Sequence, residues 1–187
     1  RQLFNLTLNT SHYKYQNFSQ DDHSNIDIGT AYQYKFADNK AWFINANMKE
    51  GYELRGTGLS IGDANKLNKG DDKQAFAFST GYLYGSKDSV GKLKFELGIL
   101  DNGYKTRREQ TRSLDLQNQY IKTSFDYLIS GQSYFSTDMA YKKIISKFNP
   151  SQDKDSYSGL LGLKWQSSVI TEMEALIGYQ KIRFKEM

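Results

Sequence analysis

The chain has 187 residues, enough for one domain and short for two, and its 25 Lys and Arg against 21 Asp and Glu leave a formal charge of +4. That is too balanced and too evenly spread for a nucleic-acid footprint. The absence of cysteine excludes disulfides and thiolate metal sites, and two histidines, His12 and His23, are too few for a histidine-rich one.

Fourteen tyrosines and eleven phenylalanines against one proline, at a mean hydropathy of −0.71, fit neither intrinsic disorder nor an ordinary soluble α/β domain. No run approaches the ~18 apolar residues of a transmembrane helix. The opening RQLFNLTL has no basic and apolar leader, so the start reads as a mature terminus or a fragment boundary.

Along the chain the dominant signal is alternation with a period of two, the mark of a strand with one oily and one wet face. Residues 2–15 alternate through Phe4, Leu6 and Leu8. Residues 25–36 carry Ile26, Ile28, Thr30, Tyr32, Tyr34 and Phe36 opposite Asn25, Asp27, Gly29, Ala31, Gln33 and Lys35. Residues 41–55 set Trp42, Ile44, Ala46, Met48, Tyr52 and Leu54 against Asn45, Asn47, Lys49 and Glu53. In 74–85 the oily set is Phe76, Phe78, Tyr82 and Tyr84, and in 91–100 it is Leu93, Phe95, Leu97 and Ile99 against Lys92, Lys94 and Glu96.

Residues 112–128 change phase, from even Leu114 and Leu116 to odd Ile121, Thr123, Phe125 and Tyr127, which predicts a β-bulge near Tyr120. Phe135, Thr137, Met139 and Tyr141 follow in 133–145, then Tyr157, Leu161, Leu163 and Trp165 in 156–166, and Met173, Ala175, Ile177 and Tyr179 in 172–184. The total is nine strands and no convincing helix.

Short links (37–40, 85–90, 129–133, 167–171) alternate with longer polar ones (16–24, 55–73, 101–111, 146–155). That is an up-and-down meander with all its long loops at one end, an asymmetry found in outer-membrane barrels. Segments of 11–15 residues exceed the ~5–6 of soluble sheets and meet the ~9–11 that a tilted strand needs to cross a bilayer.

The aromatics of the oily face form two belts. Tyr34, Phe36, Trp42, Tyr82, Tyr84, Tyr127, Phe135 and Trp165 lie by the short turns; Tyr52, Tyr141, Tyr157 and Tyr179 lie toward the long loops. Interfacial anchoring predicts such belts around an apolar band. A soluble lipocalin-like barrel would show the same alternation with the oily face inside. The belts, strand lengths and low hydropathy favour the inverted arrangement: an all-β, up-and-down antiparallel transmembrane β-barrel in the bacterial outer membrane. Nine is an odd number, whereas bacterial single-chain barrels are even. The expectation is therefore that 1–187 is one barrel domain, incomplete at its C-terminal end.

The stretch YSGLLGLKWQSSVITEMEALIGYQKIRF, 157–184, has a Gly-Leu-Lys-Trp strand (Gly162 to Trp165), a short turn, and a strand carrying Gly178-Tyr179 and Phe184. It resembles the β-barrel porin 2 family, as does the opening RQLFNLTLNTSHYKY. That family groups with outer-membrane barrels encoded beside exopolysaccharide synthesis and export systems. The resemblance implies passive translocation in polysaccharide secretion, with exopolysaccharide and periplasmic export components as partners. It implies no catalytic residue, so the chain reads as a channel and not an enzyme, with no cofactor.

The polar face gathers Lys35, Lys49, Glu53, Lys92, Lys94, Glu96, Asp138, Lys142, Lys164 and Glu174. They line an aqueous channel and set its selectivity, or they are mutually paired charges that keep the interior wet. TRREQTR (106–112) is a basic cluster on an outer loop, either facing lipopolysaccharide or acidic polysaccharide or simply solvated. DANKLNKGDD (63–72) has acidic spacing reminiscent of Ca²⁺ loops but lacks the EF-hand order, and reads as a polar loop. His12, His23, Asp21, Asp22, Ser11 and Ser24 gather hydrolase-type residues in the first long loop, a grouping that loop composition alone explains. Gly56-Thr57-Gly58 precedes no helix and is no phosphate loop.

Overall fold

The computed structural model describes residues 1–57, 68–86, 89–166 and 171–185. Nine strands form one antiparallel sheet in chain order: β1 Gln2–Tyr13, β2 His23–Ala37, β3 Lys40–Glu53, β4 Asp71–Tyr84, β5 Gly91–Tyr104, β6 Leu116–Ser130, β7 Ser133–Ser146, β8 Lys154–Gln166 and β9 Glu172–Phe184. Each strand pairs with the next throughout, so the sheet is an up-and-down meander. The sheet is open, with β1 and β9 paired on one side only. Because nine is odd, these two edges run in the same direction, from the short-turn end to the long-loop end.

The connections follow from local chemistry. Gly131 sits at φ 54° in the tight turn between β6 and β7, a left-handed conformation that costs glycine little. At the other end of the sheet three long loops each contain a 3₁₀ turn, Ser19–Asp21, Arg112–Leu114 and Pro150–Gln152. The four-residue α1, Arg108–Thr111, precedes the second of these. Asp22, Asp115 and Asp153 close the turns, each donating its backbone N–H to the carbonyl three residues back.

Two expectations need correction. There is no bulge at Tyr120: β6 stays in register from Leu116 to Tyr127 against β5 and from Leu116 to Leu128 against β7. The phase change arises because Leu114 belongs to the 3₁₀ turn and Leu116, which opens β6, lies on the wet side. The register shifts among the described residues occur instead beside short turns, between Lys35 and Ala37 and between Leu128 and Ser130. Strand limits also differ: β5 runs on to Tyr104 and β4 begins at Asp71, while β1 stops at Tyr13.

A soluble sheet must cover its apolar face with a second layer. Here the described residues bury two apolar side chains, Ala41 (3% exposed) and Phe43 (8%). The other fully covered groups are polar and cluster mainly at the loop bases: Asp21, Glu53, Asp71, Thr111, Asp115, Ser146 and Asp153. Leu6, Ile28, Ile44, Met48, Phe76, Leu97, Ile121, Met139, Leu161 and Ile177 all remain exposed on the oily face.

Candidate functional site

Pairing register fixes which residues share a face, because directly opposed side chains project the same way. Following partners from β2 to β9, every one of the ten predicted polar-face charges falls on one side of the sheet. Lys35 opposes Ala41, which opposes Leu83 and then Lys94. Lys94 continues through Ser124 to Asp138, and Lys164 opposes both Tyr134 and Glu174. All twelve predicted belt aromatics fall on the other side. Within the short-turn belt Phe36 touches Tyr34 (centroids 6.3 Å) and Tyr82 (6.2 Å), and Tyr82 meets the edge of Trp42 at 6.1 Å. In the long-loop belt Tyr141 and Tyr157 lie 5.0 Å apart. Tyr52 packs into the loops: its hydroxyl accepts the Gly70 N–H at 2.6 Å and its ring stacks on His23 at 4.6 Å.

Most of the wet-face charges are paired. Asp27 accepts from Lys49 at 3.0 Å and from the Asn47 amide at 2.6 Å. Glu53 pairs with Lys73 and accepts the Tyr104 hydroxyl at 3.1 Å. Glu96 holds Lys94 at 2.9 Å and the Tyr120 hydroxyl at 2.9 Å. Lys164 bridges Asp126 (3.4 Å) and Glu174 (3.6 Å), while Ser136 donates to Asp126 at 2.5 Å. Lys92 donates to the Tyr134 hydroxyl at 3.1 Å and sits 4.2 Å from the centre of its ring. Lys35, Asp138 and Lys142 make no ion pair among the described residues. Neutral networks of this kind keep a surface wet and rigid without giving it a strong sign.

Two wet-face rings are held by glycine. A Cβ on Gly98 would lie 2.4 Å from the Tyr120 ring, and one on Gly81 would lie 2.5 Å from the Phe43 ring. Each aromatic therefore lies flat across the neighbouring strand, where only glycine leaves room. Sequence reading did not single out Lys73, Asp126, Lys122, Tyr104, Tyr120 or Tyr134 for this face. Their parity within the strands was the available signal, obscured for β6 by the supposed bulge.

The long-loop rim is laced by ion pairs, two of which, Arg55–Asp21 and Arg107–Asp71, join one loop to the next. Arg55, beyond β3, clasps Asp21 of the first loop with two bonds of 2.8 and 2.7 Å. Arg107, beyond β5, clasps Asp71 at the start of β4, where Thr106 also donates at 3.0 Å. Arg108 holds Asp115 at 3.1 and 2.6 Å, and Asp115 also accepts the Tyr104 N–H at 3.0 Å. Asp153 accepts the Ser146 N–H at 2.8 Å and faces Lys185 at 3.4 Å. The Arg55 guanidinium holds the Asp21 carboxyl below its ordinary value. Burial pushes Asp115 up, but bonds from Arg108 and the Tyr104 amide outweigh it, so its net direction is also down.

The remaining predicted sites separate. His12 meets the Ser24 hydroxyl at 2.8 Å, but Asp21 is held by Arg55 and Asp22 accepts the Tyr15 N–H at 2.8 Å. His23 bonds the Asp21 carbonyl at 2.7 Å and lies between two near-parallel rings, Tyr13 at 4.8 Å and Tyr52 at 4.6 Å. No His–Asp–Ser relay is assembled among these residues. The basic cluster TRREQTR is divided: Arg107 and Arg108 pair as above, and Arg112 lies 6.0 Å from the Phe148 ring. Positions 63–67 of the DANKLNKGDD stretch, Gly58, and 167–170 of the last short turn lie outside the described residues. Among the described residues no group of three His, Asp or Glu side chains is placed to hold a metal, and no helix is long and apolar enough to cross a membrane. No protein-family model matches the chain, and no curated protein matches it.

Proposed function

We propose that the chain forms part of the wall of an outer-membrane β-barrel, with the oily face in lipid and the charged face lining a water-filled conduit for exopolysaccharide. The observation that carries this reading is the exposed apolar face itself. It spans nine strands, has no covering layer among the described residues, and is bordered at both ends by aromatic rings. Burying such side chains in an apolar phase stabilises by about 1.5–3 kcal/mol each. Trp42 and Tyr52 are ten residues apart on β3; at ~3.4 Å per residue and ~40° of tilt, about 26 Å separates the belts, against a lipid band of ~25 Å.

In hydrocarbon an open sheet edge leaves its N–H and C=O groups unsatisfied, so both edges must be paired. β1 and β9 run the same way, so antiparallel closure requires an odd number of further strands between them and gives an even total. The nine strands are then an arc of a larger barrel. The polysaccharide role rests on the resemblance of the β8–β9 hairpin to the β-barrel porin 2 family. The near-balance of charge on the wet face fits a passage of weak ionic selectivity.

Planar-bilayer recording on the refolded full-length protein tests the proposal. Discrete conductance steps, partly blocked by added exopolysaccharide, are expected. Silence in the bilayer together with no polymer binding removes the conduit function.

A further inference from the structure

We propose that the outer end of the oily face on β7–β9 holds the phosphate-bearing headgroup of an outer-leaflet glycolipid of the lipid A type, with Lys143, Lys181 and Arg183 as its cationic cradle. This rests on the reading of the oily face as membrane-facing.

The two ends of that face differ in charge. At the short-turn end Lys40 is its single charged strand residue; at the long-loop end it carries Glu50, Asp72, Asp101, Lys143, Asp155, Lys181 and Arg183. On β3 and β5 these charges are neutralised from the loops, Glu50 by Lys105 and Asp101 by Lys147 at 2.6 Å, while Asp72 on β4 stays a further anion. On β7 to β9 they are not. The Asp155 carboxylate accepts the Tyr141 hydroxyl at 2.9 Å, and Lys143, Lys181 and Arg183 make no ion pair among the described residues.

Register brings the three cations together. Lys143 opposes Asp155, Asp155 opposes Arg183, and Lys181 opposes Tyr157. With strands ~4.8 Å apart, the Lys143 and Arg183 backbones are about 10 Å apart, and Lys181 is about 7 Å further along β9. Long cationic side chains at that spacing converge on one phosphate, and guanidinium matches phosphate oxygens bidentately.

The surface below suits the rest of such a lipid. Tyr141 and Tyr157 lie one row inside Lys143 and Arg183 and level with Lys181, at the depth where amphipathic rings anchor. Beyond them come Met139, Leu161 and Ile177, the last 74% exposed. Between Tyr157 and Leu161, Gly159 leaves a notch in which a Cβ would touch nothing within 4 Å. An acyl chain can follow that notch inward from the headgroup.

The test uses full-length protein refolded in detergent and titrated by native mass spectrometry with diphosphoryl lipid A and with the same lipid after dephosphorylation. The wild type is expected to prefer the phosphorylated lipid. A basic residue near an anionic lipid surface contributes roughly a fivefold gain, so K143Q/K181Q/R183Q together should weaken lipid A binding about 100-fold. K40Q, at the opposite end of the face, should leave it unchanged. Heat-modifiable gel migration checks that each variant is folded. Equal binding of both lipids, or an unaffected triple variant, overturns the proposal. If the protein conducts in bilayers yet ignores the phosphates, the lipid site falls alone; if it does not insert at all, the membrane reading falls with it.

Discussion

Placing one arginine on each face of β2 separates an oily side in lipid from an oily side in a core. Ile28 sits mid-strand, opposite Leu8 and Met48 on the oily face, and is 41% exposed. Gln33, five residues on, opposes Leu3 and Phe43 on the wet face. An arginine at the bilayer midplane of a barrel costs about 2–4 kcal/mol. For Ile28→Arg that is about a 30- to 700-fold loss in the folded-to-unfolded ratio, at 1.4 kcal/mol per tenfold. Gln33→Arg enters a wet environment and should stay within about 0.5 kcal/mol of wild type. Urea titration of the full-length protein folded into phospholipid vesicles, read by heat-modifiable migration, gives both numbers. Equal tolerance at the two positions, or a larger loss at Gln33, refutes the facing assigned to every strand.

Other expectations concern the wet face and the rim. Gly98→Ala drives a Cβ to 2.4 Å from the Tyr120 ring and 2.8 Å from the Phe78 carbonyl oxygen, so it should cost about 1–3 kcal/mol. Tyr120→Ser in the same chain should recover part of that loss in thermal melts, and no recovery would rule out the ring as the obstacle. Arg55→Met leaves the well-covered Asp21 carboxylate without its two guanidinium bonds and should open the first loop by about 1–3 kcal/mol, read as faster amide exchange at Tyr15. Asp21 and Asp115 titrate below their unfolded value, so their stabilisation is complete above the unfolded pKa of about 3.9 and is lost as pH falls through the lower folded values. Protection of the Tyr104 amide should therefore collapse only in acid, and Arg108→Gln should move that collapse to higher pH; an unmoved profile would exclude the clasp as its cause.

The strand number, their order of facing and the membership of both faces were legible because a period of two assigns every residue once the phase is known. Phase failed at one place, Leu114 to Leu116, where two leucines belong to a turn and to the wet face. An apolar side chain does not announce which side it covers. Strand limits were misjudged where polar residues extend the ladder, as at Asp101–Tyr104 and Asp71–Lys73. The rim clasps were not legible. Asp21 and Arg55 are 34 residues apart and Asp71 and Arg107 are 36 apart, so no local spacing joins them. Only the stacking of neighbouring hairpins brings each arginine to the preceding loop. The same holds for Lys143, Lys181 and Arg183, which register alone assembles.

The central claim, that the oily face meets lipid and the charged face meets water, is open to one direct measurement. These 187 residues contain no cysteine, so, with any cysteine elsewhere in the full-length protein replaced by serine, single cysteines can be placed one at a time at positions 26 to 33 of β2 and spin-labelled in vesicles. Collision with oxygen, which concentrates in lipid, and with a water-soluble nickel chelate should then alternate along the strand. Labels at even positions, from Ile26 to Tyr32, are predicted to be oxygen-accessible, and labels at odd positions, from Asp27 to Gln33, to be chelate-accessible. The opposite phase, or no alternation, would contradict the account.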